Sequence, residues 1–215
     1  MLMPSHPINE PILEYAPGSG ERRALQAELD RQMAKIVEIP CIINGEAVFT
    51  GMTTTQVIPH NHGHVIAKVH LAGRDEMDAA CDAAVAAQRD WIDLGLEGRC
   101  TIFERCADLL AGDWRMRVNA STMLNQSKTA FQAEIDAACE LIDFWRFNCH
   151  YARDFHDDFQ PLVSPAGVQN STEIRPLEGF VLSITPFNFS SIAANLPSAP
   201  AIVGCTGVWK PSRNS

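Results

Sequence analysis

Residues 179–212, GFVLSITPFNFSSIAANLPSAPAIVGCTGVWKPS, constrain the fold more than any other stretch, because they read as strand, loop, helix and strand in direct succession. The apolar run Phe180–Ile184 has the length of a buried strand, and Thr185-Pro186 ends it, since proline offers no backbone donor to a ladder. Asn188 follows, bracketed by Phe187 and Phe189. Residues 190–203 are rich in Ala, Leu and Ile and are interrupted by Pro197 and Pro200, which predicts a helix that starts late or bends, stopped by Gly204 and Gly207. Val208-Trp209 then starts a second strand, which delivers Lys210 to a turn at Pro211-Ser212. Strand, helix and strand in this order are the opening of a βαβ unit, and hence of a parallel sheet.

The remaining sequence is compatible with such an α/β body. With 46% hydrophobic and 20% charged residues, the 215-residue chain has an ordinary globular composition, enough for one sizeable domain or two small ones. Seventeen Lys and Arg against 26 Asp and Glu give a net charge of −9 spread along the chain, which argues against a nucleic-acid or anionic-membrane surface as partner. The apolar runs break off well short of a membrane span, and the start, MLMPSHPINEP, lacks the order of a signal peptide. A soluble intracellular protein is the expectation. Seven cysteines without a C-x-x-C pair fit reduced core positions better than disulfides or zinc.

Along the chain, four prolines within residues 1–20 predict an extended arm, and residues 21–37 a helix with Leu25, Leu29, Met33 and Ile36 on one stripe. Asn44-Gly45 between the apolar runs 39–43 and 47–49 signals a hairpin. Residues 54–59 and 65–71 read as two more strands, joined by a turn at His60-Asn61-His62-Gly63-His64. From Asp75 the period becomes helical and lasts until Gly95 and Gly98; a second helix covers 99–111, and a third segment runs from Trp114 to Leu124. Residues 128–151 form a helix apolar on two faces, Phe131, Ile135, Ala138, Ile142, Trp145 and Cys149 on one, and Ala133, Ala137, Phe144 and Phe147 on the other. Glu140 interrupts the second stripe, which places a carboxylate in or beside the interior. Residues 162–176 read as a solvent-side or edge strand.

The pairing of I-x-P-F-N-F with W-K-P-S some twenty residues later resembles the coenzyme-binding core of the aldehyde dehydrogenases. The segment 56–64, Lys128-Thr129 and the run 132–148 are similar to the 1-pyrroline-5-carboxylate dehydrogenase branch of that family. The resemblance implies a coenzyme-binding domain of incomplete Rossmann-like form, divided into an arm (1–20), the N-terminal part of that domain (21–154), an oligomerisation flap (155–177) and the first βαβ strands (178–215). It implies NAD-dependent oxidation of L-glutamate γ-semialdehyde to L-glutamate in proline degradation, through a covalent thioester, by a homo-oligomer without nucleic-acid or membrane partners. The location it implies is the cytoplasm of a bacterium or the mitochondrial matrix of a eukaryote.

Residue by residue, Asn188 matches the family's oxyanion donor; from position alone it is equally an ordinary turn Asn. Phe187 and Phe189 would wall the substrate channel or serve as core. Ile184, Thr185, Pro186 and Phe187 match positions along the cofactor, while Lys210 and Ser212 match ribose contacts, although a lysine after a strand is otherwise simply exposed. No G-x-G-x-x-G accompanies them. Glu140 matches a carboxylate near the aldehyde site; the alternative is a buried ion pair with Arg146 or Lys128. His60, His62 and His64 alternate, but with Asn61 and Gly63 between them they favour a turn, and no metal is expected. The family's nucleophilic Cys and general-base Glu lie downstream of K-P-S, Cys205 does not align with the former, and Arg213-Asn214-Ser215 departs from the family. The chain is therefore expected to be inactive alone, either part of an enzyme or a truncated, non-catalytic form or pseudoenzyme acting as a binding and assembly module.

Overall fold

A computed structural model describes residues 6–158 and 163–212 of the protein. The expected departure at Arg213 and the beginning of the expected edge strand at position 162 lie outside the described residues.

Helix α1 (Gly20–Met33) is opened by Ser19, whose Oγ accepts from the Arg22 amide. It ends four residues earlier than the apolar stripe suggests, because β1 (Val37–Ile39) is drawn into a sheet with β5 (Asn61–His70), which in turn pairs antiparallel with β4 (Thr53–Ile58). Strands β2 (Cys41–Ile43) and β3 (Glu46–Val48) form the expected hairpin. Its two turn residues, Asn44 and Gly45, both have positive φ, 52° and 79°, as the mirror-image turn that matches strand twist requires. The histidine segment differs from the expected turn. Ile58 pairs with Asn61 and Val57 with Val65, so the chain reverses at Pro59-His60, and residues 62–64 form a bulge within β5.

Helices α2 (Arg74–Asp93) and α3 (Gly95–Ala111) meet at Leu94; Gly95, at φ 68°, starts α3, and Gly98 lies inside it rather than breaking it. Helix α4 (Arg115–Gln126) ends at Ser127, itself left-handed at φ 56°. The long helix read over 128–151 is three pieces. A short α5 (Ala130–Ala133) runs into a π-helical turn (Glu134–Cys139) and then into α6 (Glu140–Asp158). Its two-faced burial holds, with Ala133, Ala137, Ala138, Ile142 and Cys149 inside, except that Phe131 is 59% exposed. Helix α6 packs against α3 through Ala107, Leu110, Leu141 and Ile142.

Strand β6 (Phe180–Ile184), α7 (Ser190–Ile202) and β7 (Thr206–Lys210) form the parallel βαβ unit, in register from Phe180 with Thr206 to Ile184 with Lys210. Helix α7 starts directly after Phe189 and spans both prolines, and β7 begins at Thr206, so Gly204 closes the helix while Gly207 belongs to the strand. Buried Arg99 fastens the unit by donating to the Ile202 carbonyl at 2.9 Å, a cation at a helix C-terminus, and Thr206 donates to the Ala84 carbonyl at 2.6 Å. Residues 163–178 form no strand, so the expected edge strand is absent from the described part. An edge without a neighbour in the same chain has nothing to complete a ladder.

Residues 9–15 of the arm lie over α4 and the π turn. Fully buried Glu134 accepts from the Leu13 amide (2.8 Å), Tyr15 Oη (2.6 Å) and Asn119 Nδ2 (2.7 Å), and pairs with Arg115. Arg115 also reaches Glu10 (2.5 Å) and the Pro11 carbonyl (2.6 Å), and Arg146 reaches Glu10 (2.7 Å). Burial alone would raise the Glu134 carboxyl, but hydrogen bonds from Arg115 and Tyr15 outweigh it and hold it below the usual range.

Candidate functional site

The C-terminal ends of two parallel strands are where open α/β sheets expose loops to ligands. Here those ends are Ile184 and Lys210, opposite each other in register and both exposed. The loop 185–189 leaves β6 and is tied at each end. Thr185 donates its amide to the Lys210 carbonyl (3.3 Å) and accepts from Trp209 Nε1 (3.0 Å). At the far end the Phe189 carbonyl accepts from the Ala193 amide, the first turn of α7, and Ser190 Oγ lies 2.9 Å from Thr122 Oγ1 and 2.8 Å from Gln126 Nε2 on α4.

Asn188 sits at the crest, exposed, and its side-chain amide has no hydrogen-bond partner among the described residues. That amide can donate to an oxygen brought from outside, which an Asn closed into its own turn could not. Phe187 is 56% exposed beside it, whereas Phe189 is half-buried beneath the Lys128 ammonium, 4.7 Å from the ring centroid.

Glu140 lies at the junction of the π turn and α6, half-buried, and its Oε2 accepts from Ser191 Oγ at 3.1 Å, two residues into α7. Neither expected partner pairs with it: Arg146 takes Glu10 and Asp108, and Lys128 takes Asp136. The hydroxyl contact holds one oxygen of Glu140 and ties the carboxylate to the helix that follows Asn188.

A cleft of about 260 Å³ opens between α4 and the strand ends, lined by Thr122, Asn125, Gln126, Thr185, Pro186 and Trp209 among others. Of the residues matched to a cofactor it gathers Thr185 and Pro186. Ile184, Phe187, Lys210 and Ser212 are not part of its lining. Lys210 Nζ reaches the carbonyl of its own neighbour Pro211 at 3.2 Å, a contact that leaves its other donors for a ligand.

The histidines diverge: His60 Nδ1 meets Ser127 Oγ at 2.8 Å and His64 Nε2 meets the Met33 carbonyl at 3.0 Å, and no group of three metal-type ligands occurs among the described residues. Cys205 is buried, its thiol pushed up by burial and turned to the Glu178 carbonyl. It precedes β7, at the strand end opposite to Lys210 and Asn188, roughly five residues or ~17 Å away along the sheet. Sequence reading placed Lys128 only as a candidate partner of Glu140 and missed its contact with the loop, as it missed Ser191 and the Thr122-Gln126 pair; these contacts form only when segments distant in the chain fold together.

The family model described as aldehyde dehydrogenase matches residues 49–215, most of the chain. The chain belongs to the aldehyde dehydrogenase family. Among curated aldehyde dehydrogenases it is 44% identical over 205 residues to the delta-1-pyrroline-5-carboxylate dehydrogenase of Agaricus bisporus, covering 95% of this chain and 37% of that protein. It is 46% identical over 204 residues to the mitochondrial delta-1-pyrroline-5-carboxylate dehydrogenase of Homo sapiens, covering 95% of this chain and 36% of that protein. The fold matches the crystal structure of the Mycobacterium tuberculosis delta-pyrroline-5-carboxylate dehydrogenase bound with NAD, with a TM-score of 0.93 and 46% identity over 99% of this chain and 39% of that one. The chain thus spans little more than a third of the length of the aldehyde dehydrogenases it matches.

Proposed function

We propose that these residues serve a 1-pyrroline-5-carboxylate dehydrogenase, which oxidises L-glutamate γ-semialdehyde to L-glutamate in proline degradation, with NAD accepting the hydride. The observation that carries this reading is the crest of the 185–189 loop. An unpartnered amide on Asn188 stands where a carbonyl oxygen can be brought to it, and the loop is tied at both ends so that little reorganisation accompanies charge development. Glu140, held by Ser191, is the group we assign to the substrate's ammonium. For NAD the residues present fit: Ile184 and Lys210 share an open face at the strand ends, and Lys210 keeps donors for a ribose hydroxyl.

None of this supplies a nucleophile. Cys205 faces away at the opposite strand end, which supports a division of labour in which these residues bind and polarise while a thiolate and a base from elsewhere do the covalent chemistry. The same observation favours a second reading, a binding and assembly module without chemistry of its own. In either reading a homo-oligomer, with residues 155–177 as its flap, and a bacterial cytoplasm or a mitochondrial matrix complete our assignment.

In the complete protein carrying these residues, Asn188→Ala should lower kcat by about a hundredfold to a thousandfold. Glu140→Ala should cost the semialdehyde far more than a plain aliphatic aldehyde. Equal losses on the two aldehydes would remove Glu140 from substrate recognition, and an unchanged kcat for Asn188→Ala would remove the oxyanion role. NADH formation by the 215-residue chain alone would refute the division of labour.

A further inference from the structure

We propose that Lys128 is a positioning residue for Asn188, acting through the loop backbone; the inference rests on the oxyanion reading above and deepens it. Between Thr185, held by β7, and the Phe189 carbonyl, held by α7, residues 186–188 have one hydrogen bond among the described residues. It runs from Lys128 Nζ to the Asn188 carbonyl, 2.6 Å long. Among the described residues the Asn188 side chain has no partner of its own, so where its amide points is decided by the backbone that carries it, and among those residues that backbone is fixed from outside by this one ammonium.

Three contacts converge on the ammonium. Its counter-ion is Asp136, with Nζ 2.7 Å from Oδ2, the Asn188 carbonyl is at 2.6 Å, and the Phe189 ring centroid is at 4.7 Å. The Lys128 side chain is only 13% accessible, so its desolvation has to be offset, and a carboxylate, a carbonyl and a ring face together do so. The contacts join three segments. Lys128 follows the left-handed Ser127 that ends α4, Asp136 lies in the π turn, and the carbonyl and ring belong to the loop. The π turn thereby serves the loop twice, with Asp136 holding Lys128 and Glu140, at its exit, bound to Ser191 just past Asn188. A displacement of the order of 1 Å at a reacting centre is enough to cost about a hundredfold in rate.

The test is a double-variant cycle of Lys128→Met, Asn188→Ala and both together in the complete protein carrying these residues, reading kcat and KM separately. Methionine keeps the aliphatic stem and removes the charge and donors. Lys128→Met should lower kcat by about tenfold to a hundredfold while KM stays within about twofold, and should cost nothing further in the Asn188→Ala background. Losses that multiply in the double variant, or an unchanged kcat in folded Lys128→Met, overturn the inference. Should Lys128→Met not fold, Asp136→Asn runs the same cycle, with a smaller kcat loss that again vanishes beside Asn188→Ala, and a loss that persists there counts against it. If Asn188→Ala leaves kcat intact, the oxyanion reading falls and takes this inference with it. If Asn188→Ala is costly and Lys128→Met is not, this inference alone falls.

Discussion

Replacing Glu134 by Leu should unfold the protein at a much lower temperature, and the structure supplies the magnitude. Glu134 is wholly inaccessible and satisfies four neighbours at once: the Leu13 amide, Tyr15 Oη, Asn119 Nδ2 and the Arg115 guanidinium. Without it Arg115 keeps Glu10 and the Pro11 carbonyl but loses its innermost charge partner, the Leu13 amide and Tyr15 Oη lose their carboxylate acceptor, and Asn119 Nδ2 keeps only Tyr15 Oη. Breaking one side of a buried ion pair costs about 3–5 kcal/mol, which for a domain of this size is a fall of roughly 6–20 °C in Tm. Thermal unfolding followed by circular dichroism reads it directly. Adding Arg115→Met should recover little, because Arg115 still pairs with Glu10 once Glu134 is gone. The dependence on pH has a definite sign. The folded-state pKa of Glu134 is held below its unfolded value, so its contribution is complete above about pH 4.3 and is lost as pH falls further. The Tm gap between wild type and Glu134→Gln should therefore narrow on acidification below that point. A cost under about 1 kcal/mol for Glu134→Leu, the range of an exposed pair, would refute the argument.

Two further outcomes follow from local geometry. Gly204→Ala should destabilise by about 2 kcal/mol or more, since φ is +119° and a Cβ would stand 2.6 Å from Pro176 Cβ and 3.0 Å from the Leu177 nitrogen; a Tm within 2 °C of wild type, about the shift of a small surface change, would contradict it. Trp209→Phe removes the bond to Thr185 Oγ1 and should cost about 1 kcal/mol in denaturant unfolding, with an unchanged midpoint counting against that bond.

Sequence carried the local decisions well. Asn44-Gly45 had to be a turn because both residues adopt positive φ, and the βαβ unit at 180–210 was legible because proline, glycine and apolar runs punctuate it. What escaped was decided by partners far along the chain. Glu140 is half-buried beside the interior as expected, but Glu134, which no sequence pattern singled out, is the fully buried carboxylate among the described residues, because its partners come from positions 13, 15, 115 and 119. The π turn leaves no mark on a helical apolar pattern, since its extra residue only displaces which side chains face inward. His62 and His64 read as turn residues, yet the ladder with β4 absorbs them as a bulge. Asn188 and Glu140 were legible as residue types in a resembling motif; that Lys128 holds the Asn188 backbone and Ser191 holds Glu140 was not, because both contacts depend on how segments distant in the chain pack.

The docking of residues 9–15 onto α4 and the π turn has a kinetic side. Its bonds join positions 101–136 residues apart, from Tyr15 with Met116 to Glu10 with Arg146. Closing so long a loop forfeits chain entropy before any contact rewards it, and the surface that receives the arm exists only once α4 and α6 have been made and packed. The arm is thus among the last segments to find its place, and until it does, Glu134 and Arg115 lack the Leu13, Tyr15, Glu10 and Pro11 partners that complete their surroundings.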